Sequence, residues 1–240
     1  MKIIICKSYD EISKRAAEMI KDTVKTNPSA VLGLATGSSP LGIYDCLTKA
    51  YAKGEISFKD VKSINLDEYI GLSALHNQSY RYFMNEKLFS HIDIKQENTH
   101  FPNGVAKDLK AECIRYNTLL KSLVPDLQLL GLGENGHIGF NEPGAAFDGT
   151  VDIVTLNEST IAANARFFAS KDEVPTQAIT MGIKNILDAK SIVLVAMTTK
   201  KAQAVYNMVK ADISVDCPAS ALRTHNDVTI FLDEGAASLL

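Results

Sequence analysis

The sequence predicts an α/β fold, a single domain built on an open, mostly parallel sheet with helices on both faces. Three observations carry this. Short apolar runs recur along the chain with helix-patterned stretches between them, the alternation that a parallel sheet needs for its crossover connections. The 240 residues, 46% hydrophobic and 22% charged, supply enough apolar material for one large core. No repeat, low-complexity tract or linker interrupts the chain, so one domain over residues 1–240 is expected.

The elements follow in order. Lys2 to Cys6 is the first apolar run and reads as a strand. Asp10 to Thr26 places Ile12, Ala16, Met19, Ile20 and Val24 on one face, as an amphipathic helix does. Ala30 to Ala35 is the second strand. Pro40 opens a helix that runs to Ala52, because its missing N–H costs nothing in a first turn. Val61 to Leu66 is the third strand, and helices from Ser79 to Phe89 and from Leu109 to Leu123 lead to a strand at Leu127 to Leu132. Ser191 to Met197, a helix from Lys200 to Val209, and Val228 to Leu232 complete the alternation.

Composition excludes several roles. Lys and Arg number 25 against 28 Asp and Glu, a net charge of −3, and no local basic patch stands out to support nucleic-acid binding. The amino-terminal apolar run is too short for a signal peptide, and no segment reaches membrane-spanning length, so a cytoplasmic protein is expected. Cys6, Cys46, Cys113 and Cys217 are scattered with no CxxC spacing, which reads as buried free thiols rather than a metal site.

In open sheets of this kind ligands bind beyond the carboxyl ends of the strands, so the residues standing there are the candidates. Ala30 to Ala35 runs into Thr36, Gly37, Ser38, Ser39 and Pro40 and then into a helix. Such a turn offers backbone N–H groups, hydroxyls and a positive helix end to a phosphate, although a tight turn with Ser39 as N-cap would look the same. It is neither a GxxxxGK[ST] loop nor a GxGxxG loop.

The third strand ends in NLDEY, where Asp67 and Glu68 point in different directions if the strand continues. A pocket-facing Asp67 is a natural general base, since desolvation raises its pKa; a capping or turn role is the plain alternative. The run GLGENGHIGFNEP holds Gly131, Gly133, Gly136 and Gly139 and so cannot be helix. It brings His137 and Glu142 to the same sheet edge, where an imidazole beside a carboxylate can shuttle a proton; a surface histidine is the alternative. Arg166, in ANARFF, is flanked by aromatic bulk that would limit its exposure. Lys201 lies near the start of a helix, a placement that is mildly unfavourable without an anion. Each is otherwise a solvated surface charge.

Taken in order, LATGSSP, NLDEY, GLGENGHIGFNEPG, ANARFF and TTKKA resemble the glucosamine-6-phosphate deaminase family, also called glucosamine-6-phosphate isomerases, and the resemblance spans nearly the whole chain. It implies a Rossmann-like α/β fold of the sugar-phosphate isomerase/deaminase type. It also implies conversion of glucosamine 6-phosphate and water to fructose 6-phosphate and ammonia, with no metal or organic cofactor. The partner it implies is a small amino-sugar phosphate, with no nucleic acid and no membrane. By this resemblance Asp67 matches the base, His137 the ring-opening residue and Glu142 its supporting carboxylate. Thr36, Gly37, Ser38, Ser39, Arg166 and Lys201 match the phosphate-holding positions.

Two departures matter. Asn135 stands where well-studied members carry an Asp, so His137 is expected to depend more on Glu142. Where allosteric members bind an effector phosphate, this chain offers Ala145, Ala146, Asp152 and Val154, and Asp152 would repel it. The chain also stops soon after Leu232. Simple, non-allosteric kinetics and a monomer or small homo-oligomer are expected. The segment from Asn157 to Asp172 is a candidate lid. The rivals are a 6-phosphogluconolactonase, a galactosamine-6-phosphate isomerase and a non-catalytic sugar-phosphate sensor.

Overall fold

The computed structural model describes residues 1–168 and 170–240. Its strands are β1 (Lys2–Cys6), β2 (Val31–Leu34), β3 (Lys62–Asn65), β4 (Asp67–Tyr69), β5 (Thr99–His100), β6 (Leu127–Gly131), β7 (Asp152–Thr155), β8 (Gln177–Thr180), β9 (Ile192–Ala196) and β10 (Val228–Asp233). The helices are α1 (Tyr9–Thr26), α2 (Leu41–Ala52), α3 (Tyr80–Lys87), α4 (Leu109–Ser122), α5 (Glu158–Asn164), α6 (Ile183–Leu187) and α7 (Ala202–Val209). Among the described residues no helix is long and apolar enough to cross a membrane.

Seven strands form one parallel sheet in the order β1-β10-β9-β6-β2-β3-β5. Its middle strands are buried on both sides, which is why they read as unbroken apolar runs. Successive residues face opposite ways: Leu130, Leu194 and Ile230 join one core cluster, while Leu129, Val193 and Phe231 join another. Ile12, Ala16 and Ile20 of α1 and Ile43 and Leu47 of α2 close the second cluster. Cys113, Tyr116 and Leu120 of α4 and Val205 and Met208 of α7 close the first. Truncating one of these fully buried leucines, such as Leu194→Ala, costs about 2–5 kcal/mol, because the cavity cannot collapse between two packed layers.

Local signals set the helix ends. Ser8 caps α1 by accepting from the Glu11 N–H, and Asp10 and Glu11 stand in its first turn, where the helix dipole favours them. By contrast, α2 is preceded by Pro40 in αR conformation, with no side-chain cap and no acidic residue in its first turn. Ser39 is therefore not the N-cap, and Pro40 sits one residue before the first turn expected for it. Cys6, Cys113 and Cys217 are buried as expected; Cys46 is only partly so, and all four are unpaired.

A second sheet, antiparallel with order β4-β8-β7, was not anticipated from sequence. Its strands have three or four residues and mixed polarity, too short for a period to show.

Candidate active site

From β2 the chain crosses to β3 on one side of the sheet, and from β6 it reaches β9 on the other. The gap between β2 and β6 is thus the topological switch point, and a cavity of about 500 Å³ lies at that edge. Of the catalytic and phosphate-holding candidates, Thr36, Gly37, Ser38, Ser39, Asp67, Asn135, His137, Arg166 and Lys201 line it, and Glu142 stands behind His137.

Asp67 reaches the cavity because the chain changes sheets. Only Leu66 separates the end of β3 from β4, which pairs with β8 through Asp67 and Thr180. Strand alternation then sends Glu68 away from the cavity to the start of α3, where it accepts N–H bonds from Tyr80 at 2.9 Å and Arg81 at 3.0 Å. Burial raises the Asp67 pKa to about 8, with repulsion from Glu68 adding to it. Glu68 itself is raised to about 7 by burial, against the pull of its three amide donors. Asp67 is therefore a poised carboxyl and no turn residue.

The glycine-rich loop after β6 is shaped around two side chains. A Cβ on Gly133 would lie 2.5 Å from the His137 ring, so the imidazole packs flat on bare backbone. Gly139 has φ +57°, and a Cβ there would stand 3.6 Å from Asp67 Oδ2. Asn141 ties the loop down by donating to the carbonyls of Ile138 and Met181, both at 2.9 Å.

His137 Nδ1 lies 3.3 Å from Glu142 Oε2, and the same oxygen accepts from Asn135 Nδ2 at 2.6 Å. The Asn135 carbonyl oxygen in turn accepts the His137 N–H at 3.2 Å. The amide thus braces both partners without carrying charge. Burial pushes the Glu142 pKa up, but the bond and charge of His137 and the donors Thr160 and Asn135 outweigh it, and the net value falls to about 2. Glu142 stays ionised and ready to steady an imidazolium.

The loop Thr36 to Ser39 brings Gly37 at φ +91° and the uncapped start of α2 to the cavity. Tyr9 holds it from behind: its hydroxyl accepts the Gly42 N–H at 2.6 Å and lies 3.3 Å from the Ser38 and Ser39 carbonyls. Lys201 ends a 3-10 turn, Thr199–Lys201, and α7 begins after it at Ala202, not at Lys200 as the sequence suggested. The displacement follows from Thr198, whose φ of +75° no helix accepts and whose N–H is gripped by both Asp233 oxygens at 2.9 and 3.0 Å. Burial lowers the Lys201 pKa; Glu134 offsets this, while Arg166 and Lys200 reinforce it. Cations crowded together at a cavity wall are what a dianionic ligand requires. Arg166 is exposed, contrary to expectation, because Phe168 packs on Tyr69 with ring centroids 5.9 Å apart.

Sequence reasoning missed Thr160, Asn164 and Tyr80, which also line the cavity. They carry no motif; Thr160 and Asn164 bond to residues 18 and 95 positions away. The expected lid, Asn157 to Asp172, contains α5 and also residue 169, which lies outside the described residues.

The chain is similar to known proteins over its whole length. A glucosamine-6-phosphate deaminase of Thermoanaerobacter sp. (strain X514) is 52% identical, the match covering 100% of this chain and 95% of that one. The deaminase of Clostridium perfringens (strain 13 / Type A) is 51% identical with 100% of both chains covered. The solved structure of a monomeric glucosamine-6-phosphate deaminase superposes with a TM-score of 0.98 at 50% identity over 100% of both chains. A 6-phosphogluconolactonase from Trypanosoma brucei shares the fold, with a TM-score of 0.81 at 20% identity, covering 100% of this chain and 98% of its own. The family model described as glucosamine-6-phosphate isomerases/6-phosphogluconolactonase matches residues 7–231, and the chain belongs to that family.

Proposed function

We infer that the protein is a glucosamine-6-phosphate deaminase, converting glucosamine 6-phosphate and water to fructose 6-phosphate and ammonia. The observation that carries this is one cavity at the switch point lined by a buried carboxyl, a histidine backed by a carboxylate, a turn of small residues and the cations Arg166 and Lys201. The full-length identity of about 50% to deaminases supports it.

The phosphate is held by Thr36, Gly37, Ser38 and Ser39 with Arg166 and Lys201. This remote anchor fixes a small sugar for proton transfer. His137, with Asn135 and Glu142 behind it, carries a proton from the anomeric hydroxyl to the ring oxygen and opens the pyranose to the aldehyde. Asp67 then takes the C2 proton, giving an enolamine across C1 and C2, and returns it to C1. The product imine at C2 adds water, and the resulting carbinolamine expels ammonia to leave the ketone. Asp67 has to be ionised for this step. The ammonium of the bound substrate, arriving beside a carboxyl with a raised pKa, favours the ionised form.

The chain acts as one catalytic unit in the cytoplasm. Asp152 is exposed at the head of β7 and Ala145 and Ala146 carry no charge, so effector-free, hyperbolic kinetics are proposed. A monomeric state is proposed from the likeness to a monomeric deaminase over its full length.

The test is ammonia release from glucosamine 6-phosphate by purified protein, with Asp67→Asn and unphosphorylated glucosamine as controls. Phosphate-dependent release that collapses in the variant is the expected result. Binding of the sugar phosphate without release would instead favour a sensor, and turnover of 6-phosphogluconolactone would favour a lactonase.

A further inference from the structure

The helix α5 touches the surroundings of the proton-transfer groups at two points. Thr160, only 6% exposed, donates its hydroxyl proton to Glu142 Oε1. One turn later, on the same face, Asn164 Nδ2 donates to the Tyr69 hydroxyl at 2.8 Å, in the short strand that also carries Asp67. Arg166 follows directly, in the 3-10 turn Ala165–Phe167. One short segment thus joins a phosphate-holding cation to Glu142 and to the strand that carries Asp67.

The contact with Glu142 bears on orientation. Its Oε2 is shared by His137 and Asn135. A carboxylate held through one oxygen still turns about its terminal torsion, which is broad and nearly two-fold. Pinning Oε1 removes that rotation and aims Oε2 at the imidazole. We infer that Thr160 is a positioning residue for the His137–Glu142 pair, and that α5 thereby makes assembly of the pair depend on the segment that carries Arg166. This rests on the deaminase reading above and adds to it a route by which gripping the phosphate prepares ring opening. Asn164 acts in the same sense on β4, one element further from the chemistry.

The experiment compares steady-state deamination of glucosamine 6-phosphate by the wild type, Thr160→Val and Thr160→Ser, with thermal melts alongside. Valine keeps the shape and loses the donor; serine keeps the donor. Should the valine variant be unstable, Thr160→Ala takes its place. The expected result is a kcat lower on the order of 10-fold to 100-fold for valine, KM changed by about two-fold or less, and most of the rate regained by serine. A valine variant with wild-type kcat would overturn the inference. So would a raised KM at unchanged kcat, which makes Thr160 a mere substrate contact, or a serine variant as slow as valine, which makes the methyl group the important part. Wild-type protein that releases no ammonia would overturn the deaminase reading and this inference with it; an active wild type with an indifferent Thr160 would overturn this inference alone.

Discussion

The Asp67 carboxylate and the α-carbon of Gly139 approach so closely that a methyl group on the glycine would stand 3.6 Å from Asp67 Oδ2. The backbone of one loop therefore forms the wall of the space into which the carboxyl reaches. Gly139→Ala is expected to fail twice. Its φ of +57° costs an alanine about 1–2 kcal/mol, and the new methyl lies 3.2 Å from Thr180 Oγ1, tighter than ordinary contact. A modest fall in melting temperature with a much larger fall in kcat/KM is the expected pattern; equal losses in both would mean the glycine serves only the fold.

The raised pKa of Asp67 sets the pH dependence. With Asp67 as the proposed base its ionised form is the working one, and kcat/KM reports the free enzyme, so its acidic limb is expected to have a midpoint near pH 8. The corresponding limb in kcat falls at lower pH, because the bound ammonium favours the carboxylate. Initial rates from about pH 6 to about pH 10, roughly two units either side of the Asp67 transition, test both. A kcat/KM profile flat through that range would assign the proton transfer to another group.

The same shift makes a stability prediction. The folded-state pKa lies above the unfolded value of about 3.9, so the folded protein binds an extra proton in the window between them and loses stability as pH rises through it. Asp67→Asn removes the buried charge. It is expected to melt higher than the wild type at pH 8, by an advantage on the order of a few kcal/mol, and to lose that advantage near pH 4. Urea titrations of both proteins at the two pH values give the comparison.

Lys201 is held with its charge disfavoured by burial and by Arg166. Lys201→Met is expected to leave stability unchanged or improved while raising KM for glucosamine 6-phosphate about 10-fold to 100-fold, the worth of one charge-assisted hydrogen bond. Inhibition by inorganic phosphate should weaken in parallel. A variant with unaltered KM would place the phosphate elsewhere.

Thr198 combines φ +75° with ψ 154°, a region that is essentially glycine's alone. Thr198→Gly is expected to relieve about 1 kcal/mol of strain after the entropy cost of glycine, which raises Tm by about 2–4 °C in a chain of this size. If KM rises at the same time, the strain serves to aim Lys201.

The parallel sheet was legible because strands buried on both faces have to be apolar throughout, and Leu127 to Leu132 or Ser191 to Met197 cannot be mistaken for much else. Strand ends blurred by a residue or so, as at Ala35, which is buried and apolar but lies past the end of β2, its carbonyl taken by the Tyr44 hydroxyl. The second sheet was illegible: DEY, DIVT and QAIT are short and of mixed polarity, and the first of them pairs with a strand more than a hundred positions away. Asp67, His137 and Lys201, which the fold brings to one cavity, could be singled out because acid, imidazole and amine just past strands are rare enough to be noticed. Thr160 and Asn164 could not, since a threonine and an asparagine in a seven-residue helix say nothing until the chain folds back on Glu142 and Tyr69.

The single residue between β3 and β4 has a consequence for how such a pocket can change. The Leu66 carbonyl accepts the Met181 N–H at 2.7 Å, so the peptide leading into Asp67 is clamped by two sheets with no slack on either side. The carboxyl is a fixed point of the architecture, while the segments around Ser38 and His137 are loops, which tolerate insertion and exchange. Within this fold, new sugar phosphates are accommodated by reshaping the surroundings of an immovable acid, and any change that frees the acid has to dismantle the join between the two sheets first.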